Sequence, residues 1–412
     1  MVNLFKQNKM FRVYLMYQFF SSIGGAMFSM FVLLSVHLIY NNPIYTGIAG
    51  FLITLPRIVS FAVGPIVDKR NQVTIMRLTT LLEFSLLAML AFTPLQLNIG
   101  IMFTFAVIFF YNVAALFEEP ASTALLPKIV DEDSILTANS LIQIVAMTGG
   151  IGIAIILYSS LADDINFSFL YGFSAVFLSL AFLSSLFFKI ANKQNAKTEK
   201  IDYIADLKEG AAFLKGNVLL LIVIATIALG FFGEITYINR PQFLEYHVGA
   251  QGYILFTVMS LVGGIASSYI INKYGNATTV SKFIFVLFIL AGAMRIVFTV
   301  LVPIRLASAL VAMAAYTAMA SAAGMVFMTL RQKMPPNNMV GRISTISTTF
   351  VAIAVTIGAL VGGFLGNVVA DTGHIFIFQG SMYFVIALLL MLSPTFRKLP
   401  SFGEIKKDDA DK

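Results

Sequence analysis

Ionisable side chains within long apolar segments are the residues of this sequence with the clearest chemical potential. At the depth of a lipid bilayer such a side chain is costly unless it has a partner or a water-filled cavity, so each one is a candidate binding or proton-transfer site. The side chains of this kind are Arg57, Glu83, Glu118, Glu119, Glu234 and Arg295.

Three of these charges are expected at the same depth. Arg57, Glu83 and Glu118 each lie 10 or 11 residues from the charged end of their apolar segment. At about 1.5 Å per residue, all three lie roughly 15–17 Å from that end, close to the bilayer midplane.

Two interpretations of these charges stay open. In the first, Arg57 and Glu83 form a structural ion pair between neighbouring helices. In the second, Glu118 or Glu119 faces a central cavity and exchanges a proton, while Arg57 stabilises the carboxylate until a proton or a cationic substrate replaces it. Because Glu118 and Glu119 are about 100° apart on a helix, one can face the cavity while the other packs or snorkels.

Four further residues are candidates for lining a substrate cavity. They are Glu234, Asn112, Phe28 and Phe231. Glu234 has an alternative interpretation as a rim residue paired with Arg240, and phenylalanine is equally common on lipid-facing surfaces. Arg295 is expected to have a structural or snorkelling role near the outer face.

Composition and spacing exclude several kinds of catalytic site. The chain has no cysteine, and its three histidines, His37, His247 and His374, lie far apart without paired metal-ligand spacing. It also lacks the G-x-x-x-x-G-K-[ST] phosphate loop. We therefore expect no metal and no cofactor, and a membrane-bound enzyme is the less supported alternative.

The composition requires membrane-spanning helices to position these residues. Of the 412 residues, 58% are hydrophobic and 11% are charged, and the mean hydropathy is +0.88. Soluble proteins carry about 25% charged residues. Since roughly 20 apolar residues make one helical span, hydropathy predicts twelve spans. These are 11–39, 44–67, 73–95, 99–127, 136–161, 167–189, 217–239, 251–272, 279–301, 304–330, 343–369 and 375–394.

The two halves of the chain repeat each other. Asp68, after span two, corresponds to Asn272, after span eight, and Lys128 corresponds to Lys333 at a nearly equal offset. The duplication predicts an all-α integral membrane fold in which twelve transmembrane helices form two pseudo-symmetric six-helix halves. In such a fold the substrate path is expected between the halves, near the midplane.

The predicted domains follow from the same pattern. They are an N-terminal bundle at 1–190, a linker at 191–216, a C-terminal bundle at 217–396 and a tail at 397–412. The linker contains a short amphipathic helix that is expected on the membrane surface. Most of the 27 lysines and arginines fall on one side of the spans, which predicts that both termini are cytoplasmic. This bias accounts for the net charge of +7, so no nucleic-acid partner is expected.

Four stretches of the sequence resemble a known family. G-P-I-V-D-K-R at 64–70 is similar to the loop signature of the major facilitator superfamily. The stretch E-P-A-S-T-A-L-L-P-K-I-V-D-E-D-S-I-L-T-A-N-S-L at 119–141 resembles a bacterial branch of that family with macrolide-efflux and siderophore-export proteins. D-L-K-E-G-A-A-F-L-K-G-N at 206–217 and G-R-I-S-T-I-S at 341–347 resemble the same branch.

The resemblance implies a gating role for the loop after span two. In the family, the aspartate that corresponds to Asp68 pairs with a charge on another span and steadies the outward-open state. Lys69 and Arg70 match the signature in kind, although anchoring by positive charge alone explains them equally well. Asn71 and Gln72 depart from the family pattern, which has glycine and arginine there.

Glycines cluster in three of the predicted spans. They include Gly149 and Gly150 in span five, Gly263 and Gly264 in span eight, and Gly358 and Gly362 in span eleven. G-x-x-x-G spacing lets helix backbones approach closely. The clusters indicate either tight packing or a seam that moves between domains.

The resemblance and the buried charges together predict a transporter. The expected function is proton-coupled export of an amphiphilic small molecule or drug by alternating access, in a monomer that contacts membrane lipids. The expected location is a bacterial plasma membrane. Export of a siderophore-like chelating metabolite and lipid translocation are the alternatives, since fold does not fix substrate.

Overall fold

The computed structural model describes most of the chain. The described residues are 8–63, 66–67, 70–93, 98–131, 138, 141–142, 144–145, 152, 166–188, 203–249, 251–275, 278–401 and 404. Every regular element among these residues is helical. Eleven of the described helices are long and apolar enough to cross a membrane.

The helices follow the predicted spans closely in order and position. They are α1 (Lys9–Tyr40), α2 (Pro43–Thr54), α3 (Gln72–Phe92), α4 (Asn98–Leu125), α5 (Phe167–Ser185), α6 (Tyr203–Leu214), α7 (Val218–Val248), α8 (Gln251–Tyr274), α9 (Val280–Leu301), α10 (Leu306–Lys333), α11 (Asn337–Val368), α12 (Gly373–Leu392) and α13 (Pro394–Arg397). Helices α1–α4 and α7–α12 coincide with the spans of the same number, and α5 coincides with span six. Predicted span five falls mostly outside the described residues.

Two helices differ from the prediction for identifiable reasons. The second span changes at Leu55 from α-helix to a 3-10 helix, Leu55–Ala62, where Pro56 has no backbone N–H to continue the α-helical ladder. Helix α7 continues to Val248, although its predicted end is at 239. It can continue because the charge of Arg240 lies over two aromatic rings of the protein.

The described chain divides into two compact units, Met1–Glu199 and Lys200–Lys412. In the first unit, α5 packs against α1 and α3, and α3 packs against α4. The contact between α1 and α5 is close, because the Ser174 hydroxyl donates to the Gly24 carbonyl oxygen at 2.7 Å. This packing brings α1, α3 and α4 together around a shared core.

In the second unit, α7 pairs with α11, while α10 contacts both α8 and α9, and α9 also packs against α12. The amphipathic linker helix α6 belongs to this unit and packs against α11. Glu209 and Arg342 form an ion pair of 2.6 Å at this contact. One face of the helix that we expected on the membrane surface is therefore bound to protein.

The glycines of α11 lie at its contact with α7. A Cβ atom at Gly358 would lie 2.8 Å from the Phe231 carbonyl oxygen, and one at Gly362 would lie 3.1 Å from the Ile235 Cα. The Asn239 side-chain amide donates to the Gly362 carbonyl oxygen at 2.8 Å. The predicted glycines Gly149 and Gly150 lie outside the described residues.

Adjacent glycines on α8 provide a matched test of backbone packing. A Cβ atom at Gly263 would overlap the backbone oxygen of Ala314 and lie 2.8 Å from the Thr317 Cβ, whereas one at Gly264 would meet nothing within 4 Å. We expect Gly263→Ala to destabilise the protein by about 1–3 kcal/mol because α8 and α10 must separate. Thermal unfolding in detergent measures this effect. Gly264→Ala is the control, and equal unfolding midpoints for the two variants would contradict the prediction.

Candidate functional site

A buried hydrogen-bond cluster joins α1, α3 and α4 in the first unit. The Tyr17 hydroxyl donates to a Glu118 carboxylate oxygen at 2.6 Å. The same hydroxyl lies 2.8 Å from the Thr80 Oγ1. When Glu118 is ionised, Tyr17 gives its single hydroxyl proton to Glu118, so Thr80 is the donor to Tyr17. The cluster therefore connects one carboxylate to side chains on two other helices.

A second carboxylate, Glu83, lies beside this cluster. Thr80 and Glu83 are three residues apart on α3 and share one face of that helix. Glu83 is only 3% exposed, and the Tyr17 hydroxyl that binds Glu118 also contacts Thr80, one turn from Glu83. A buried and a half-buried carboxylate at one cluster favour a state in which at least one of them carries a proton.

A further polar group lies beside the carboxylates on the same helices. The Tyr14 hydroxyl and the Ser122 hydroxyl are 2.8 Å apart. The Gln18 side-chain amide donates to both of these oxygens, at 2.9 Å to Tyr14 and 2.8 Å to Ser122. Hydrogen-bonding side chains thus continue along the contact between α1 and α4.

The other candidates on α4 and α1 have different surroundings. Glu119 is exposed, in contrast to its neighbour Glu118. The Asn112 amide donates to the Ile108 carbonyl oxygen of its own helix at 2.8 Å. Phe28 is buried against Tyr111, with 4.0 Å between the ring centroids. Phe28 thereby packs against a residue of α4.

Arg57 lies apart from the carboxylates that we expected it to neutralise. Its side chain is exposed on the 3-10 helix, and α2 packs against α1 and α4. Among the described residues, no ion pair or hydrogen bond joins Arg57 to Glu83 or Glu118. The expected structural ion pair with Glu83 is therefore not formed here.

The gating loop is described only in part. Asp68 and Lys69 lie outside the described residues, and Arg70 is exposed. Gln72, which departs from the family signature, donates from its amide to the Val67 carbonyl oxygen at 3.1 Å and accepts from the Lys128 ammonium at 2.8 Å. Gln72 thus connects the loop to the end of α4.

The acidic candidate of the second unit lies at the contact between α7 and α11. Glu234 is half-buried, and its Cβ would be 3.2 Å from a Cβ atom at Gly358. Phe231, one turn earlier, forms an edge-to-face contact with Phe232, with centroids 5.3 Å apart. The expected rim pair of Glu234 with Arg240 is not formed.

Two arginines of the second unit, Arg240 and Arg295, contact aromatic rings. The Arg240 guanidinium lies 4.4 Å from the Phe256 ring centroid. Arg295 is 3% exposed and lies 4.5 Å from the Phe376 ring centroid. Arg295 is therefore enclosed in protein, which favours the structural role over the snorkelling role among the two that we expected.

Sequence reasoning missed Tyr17 and Thr80. A single tyrosine or threonine in an apolar span is ordinary, so residue type alone does not identify either one. The available signal was the three-residue spacing of Thr80 and Glu83 on one helix face, at the same depth as Glu118.

The comparisons with known proteins agree with this architecture. No curated relative matches the chain by sequence. A solved structure of the nucleoside transporter NupG (D323A mutant) has a TM-score of 0.73 at 14% identity, covering 92% of this chain and 99% of that chain. The peptide transporter POT in complex with sulfate has a TM-score of 0.73 at 12% identity, covering 96% of each chain. The xylose transporter XylE from E. coli has a TM-score of 0.71 at 13% identity, covering 96% of this chain and 97% of that chain.

These identities are low enough that the solved structures establish the fold alone. The family comparison goes further, because a family model for the Major Facilitator Superfamily matches residues 18–358, most of the chain. The family match and the apolar helices identify a multi-pass membrane transporter rather than an enzyme. The chain therefore belongs to the Major Facilitator Superfamily.

Proposed function

We propose that this protein is a secondary transporter that exports an amphiphilic small molecule in exchange for protons, by alternating access. The observation that carries the proton-coupling proposal is the hydrogen bond of the half-buried Glu118 with the buried Tyr17, beside a buried carboxylate, Glu83. A buried carboxylate with a polar partner is a group that can bind and release a proton during a transport cycle.

Protonation of Glu118 would reorganise the cluster. Ionised Glu118 accepts the Tyr17 proton, whereas protonated Glu118 can donate to Tyr17, which then donates to Thr80. The direction of both hydrogen bonds would reverse. Because the three residues belong to three helices, one proton on α4 would change the hydrogen bonding of α1 and α3.

The position of Glu83 supports the same proposal, because Glu83 is one turn from Thr80, whose hydroxyl contacts Tyr17. With both carboxylates ionised, two negative charges would lie at one cluster, which favours uptake of one proton by the pair. Asp68, Lys69 and Arg70 are proposed to gate the cycle from the loop after α2.

The proposal of export rests on sequence. The stretch at 119–141 resembles a bacterial branch with macrolide-efflux and siderophore-export proteins. We accordingly propose a bacterial plasma membrane as the location, cytoplasmic termini and a monomeric state. A chelating metabolite or a lipid stays the alternative cargo.

Proteoliposomes with an imposed pH gradient test the proposal. We expect a naphthalene amphiphile from a panel of cationic, neutral and anionic derivatives to accumulate inside when the interior is more acidic than the bath. An internal pH dye should report a loss of protons from the interior at the same time, because an antiporter exchanges substrate for protons.

The controls separate coupling from leakage. Protein-free liposomes and a protonophore should both abolish accumulation. Accumulation only with an acidic bath would indicate symport and contradict export by exchange. An uptake rate that is the same with and without the pH gradient would contradict proton coupling.

A further inference from the structure

Two arginines of the second unit, Arg295 on α9 and Arg240 on α7, lie near each other. Arg240 lies 4.4 Å from the ring centroid of Phe256, Arg295 lies 5.6 Å from that of Phe298, and these two centroids are 5.6 Å apart. Arg295 is 3% exposed, and Arg240 is half-buried. Like charges that lie close together inside a protein are costly unless an opposite charge compensates them.

Aromatic rings surround the Arg295 guanidinium on several sides. Its central carbon lies 4.5 Å from the ring centroid of Phe376, 4.7 Å from that of Tyr316 and 5.6 Å from that of Phe298. Ring faces attract a cation, but they do not provide acceptors for the N–H groups of a guanidinium in its plane. The rings therefore leave the hydrogen-bonding capacity of Arg295 largely unused.

The described residues leave the donors of both arginines short of acceptors. Arg295 Nη1 contacts only the Met313 sulfur at 3.7 Å, and its buried Nε has no hydrogen-bond partner among the described residues. The buried Nε of Arg240 likewise has no hydrogen-bond partner among the described residues, although the Arg240 side chain hydrogen-bonds to Tyr253. No carboxylate of the described chain forms an ion pair with either arginine.

Neutral polar side chains lie beside Arg295. The hydroxyls of Tyr316 and Tyr383 are 3.3 Å apart, and the Gln379 amide donates to the Tyr316 hydroxyl at 3.3 Å. These groups can orient a bound polar atom, but none of them supplies a negative charge. The missing component of the cluster is an anion.

We propose that Arg295 and Arg240 bind an anionic group of the transported molecule, such as a carboxylate or a phosphate. A guanidinium presents two parallel N–H donors that match the paired oxygens of these groups. The surrounding rings, including Phe376 and Phe256, would contact the apolar part of the same molecule. This inference rests on the proposed transport function and narrows its substrate class to amphiphilic anions.

Direct binding to the purified full chain tests the proposal. The probe is naphthalene-1-sulfonate, and its uncharged match is naphthalene-1-sulfonamide. Because the chain contains no tryptophan, the naphthalene fluorescence is measured without tryptophan emission. We expect the sulfonate to bind at least tenfold more tightly than the sulfonamide, and Arg295→Gln to remove this preference. Arg240→Gln should weaken sulfonate binding in the same way.

The control variant is Arg305→Gln, which removes an equal charge from an exposed position. It should bind the sulfonate like the unaltered chain. Arg295→Lys keeps the charge without the paired donors and should bind with intermediate affinity. Thermal unfolding midpoints show that each variant is folded, and Arg240→Gln keeps the test available if Arg295→Gln does not fold.

Three results would overturn the proposal. The first is equal affinity for the sulfonate and the sulfonamide, and the second is unchanged sulfonate binding in both Arg295→Gln and Arg240→Gln. The third is displacement of the sulfonate by phosphatidylglycerol nanodiscs but not by phosphatidylcholine nanodiscs, which would assign the site to a lipid headgroup. Since binding is measured without transport, failure of the proton-exchange assay would leave these results interpretable.

Discussion

Glu118→Gln is expected to abolish gradient-driven transport in proteoliposomes, with a rate at least tenfold below that of the unaltered chain. Glutamine keeps the shape of the side chain and can still accept from Tyr17, but it cannot take up and release a proton. Exchange of substrate across the membrane without a gradient should persist, because it requires no net proton movement. Comparing driven uptake with gradient-free exchange measures the difference.

Glu119→Gln is the matched control for this prediction. It removes the same charge from the next residue of α4, where the side chain is exposed. Its driven uptake should stay within about twofold of the unaltered rate, a factor corresponding to about 0.4 kcal/mol. If Glu118→Gln keeps full driven uptake at normal membrane levels, Glu118 is not the coupling residue.

Arg77→Met is expected to lower the stability of the folded protein by about 2–3 kcal/mol, through loss of charge-assisted hydrogen bonds. The Arg77 guanidinium on α3 donates to the carbonyl oxygens of Ser185 at 3.1 Å, Leu186 at 3.3 Å and Phe188 at 3.4 Å. These carbonyls lie at and just after the end of α5, where a helix lacks internal donors for them. Thermal unfolding in detergent measures the loss.

Two variants control for charge in this experiment. Arg70→Met removes a positive charge from an exposed position of the same unit, and it should leave the midpoint nearly unchanged. Arg77→Lys keeps the charge with fewer fixed donors and should lie between the two. An Arg77→Met midpoint equal to that of Arg70→Met would show that these hydrogen bonds do not stabilise α5.

The order and number of the described helices were predictable because every span of a bilayer needs roughly 20 apolar residues. The changes of geometry within spans were harder to predict. Pro56 interrupts the α-helical hydrogen-bond pattern, but a hydropathy profile does not detect such an interruption. The extension of α7 past Arg240 depends on Phe256 of another helix, which is adjacent only after folding.

The depth of the candidate site was predictable, but its partners were not. Counting residues from a helix end gives depth, since each residue rises by about 1.5 Å. It does not give the direction in which a side chain points around the helix. Glu118 therefore reaches Tyr17, which also contacts Thr80, one turn from Glu83, while Arg57 at the same expected depth points elsewhere.

The hydrogen bond from Asn239 to the Gly362 carbonyl oxygen also constrains how the protein is made. The two residues are 123 positions apart, so α7 is synthesised and enters the bilayer well before α11 exists. Until then, the Asn239 side-chain amide can contact only its own helix, the lipid or the insertion machinery. Biogenesis of the second unit therefore depends on protecting α7 until α11 arrives. A chain truncated before α11 should be degraded as an unassembled intermediate.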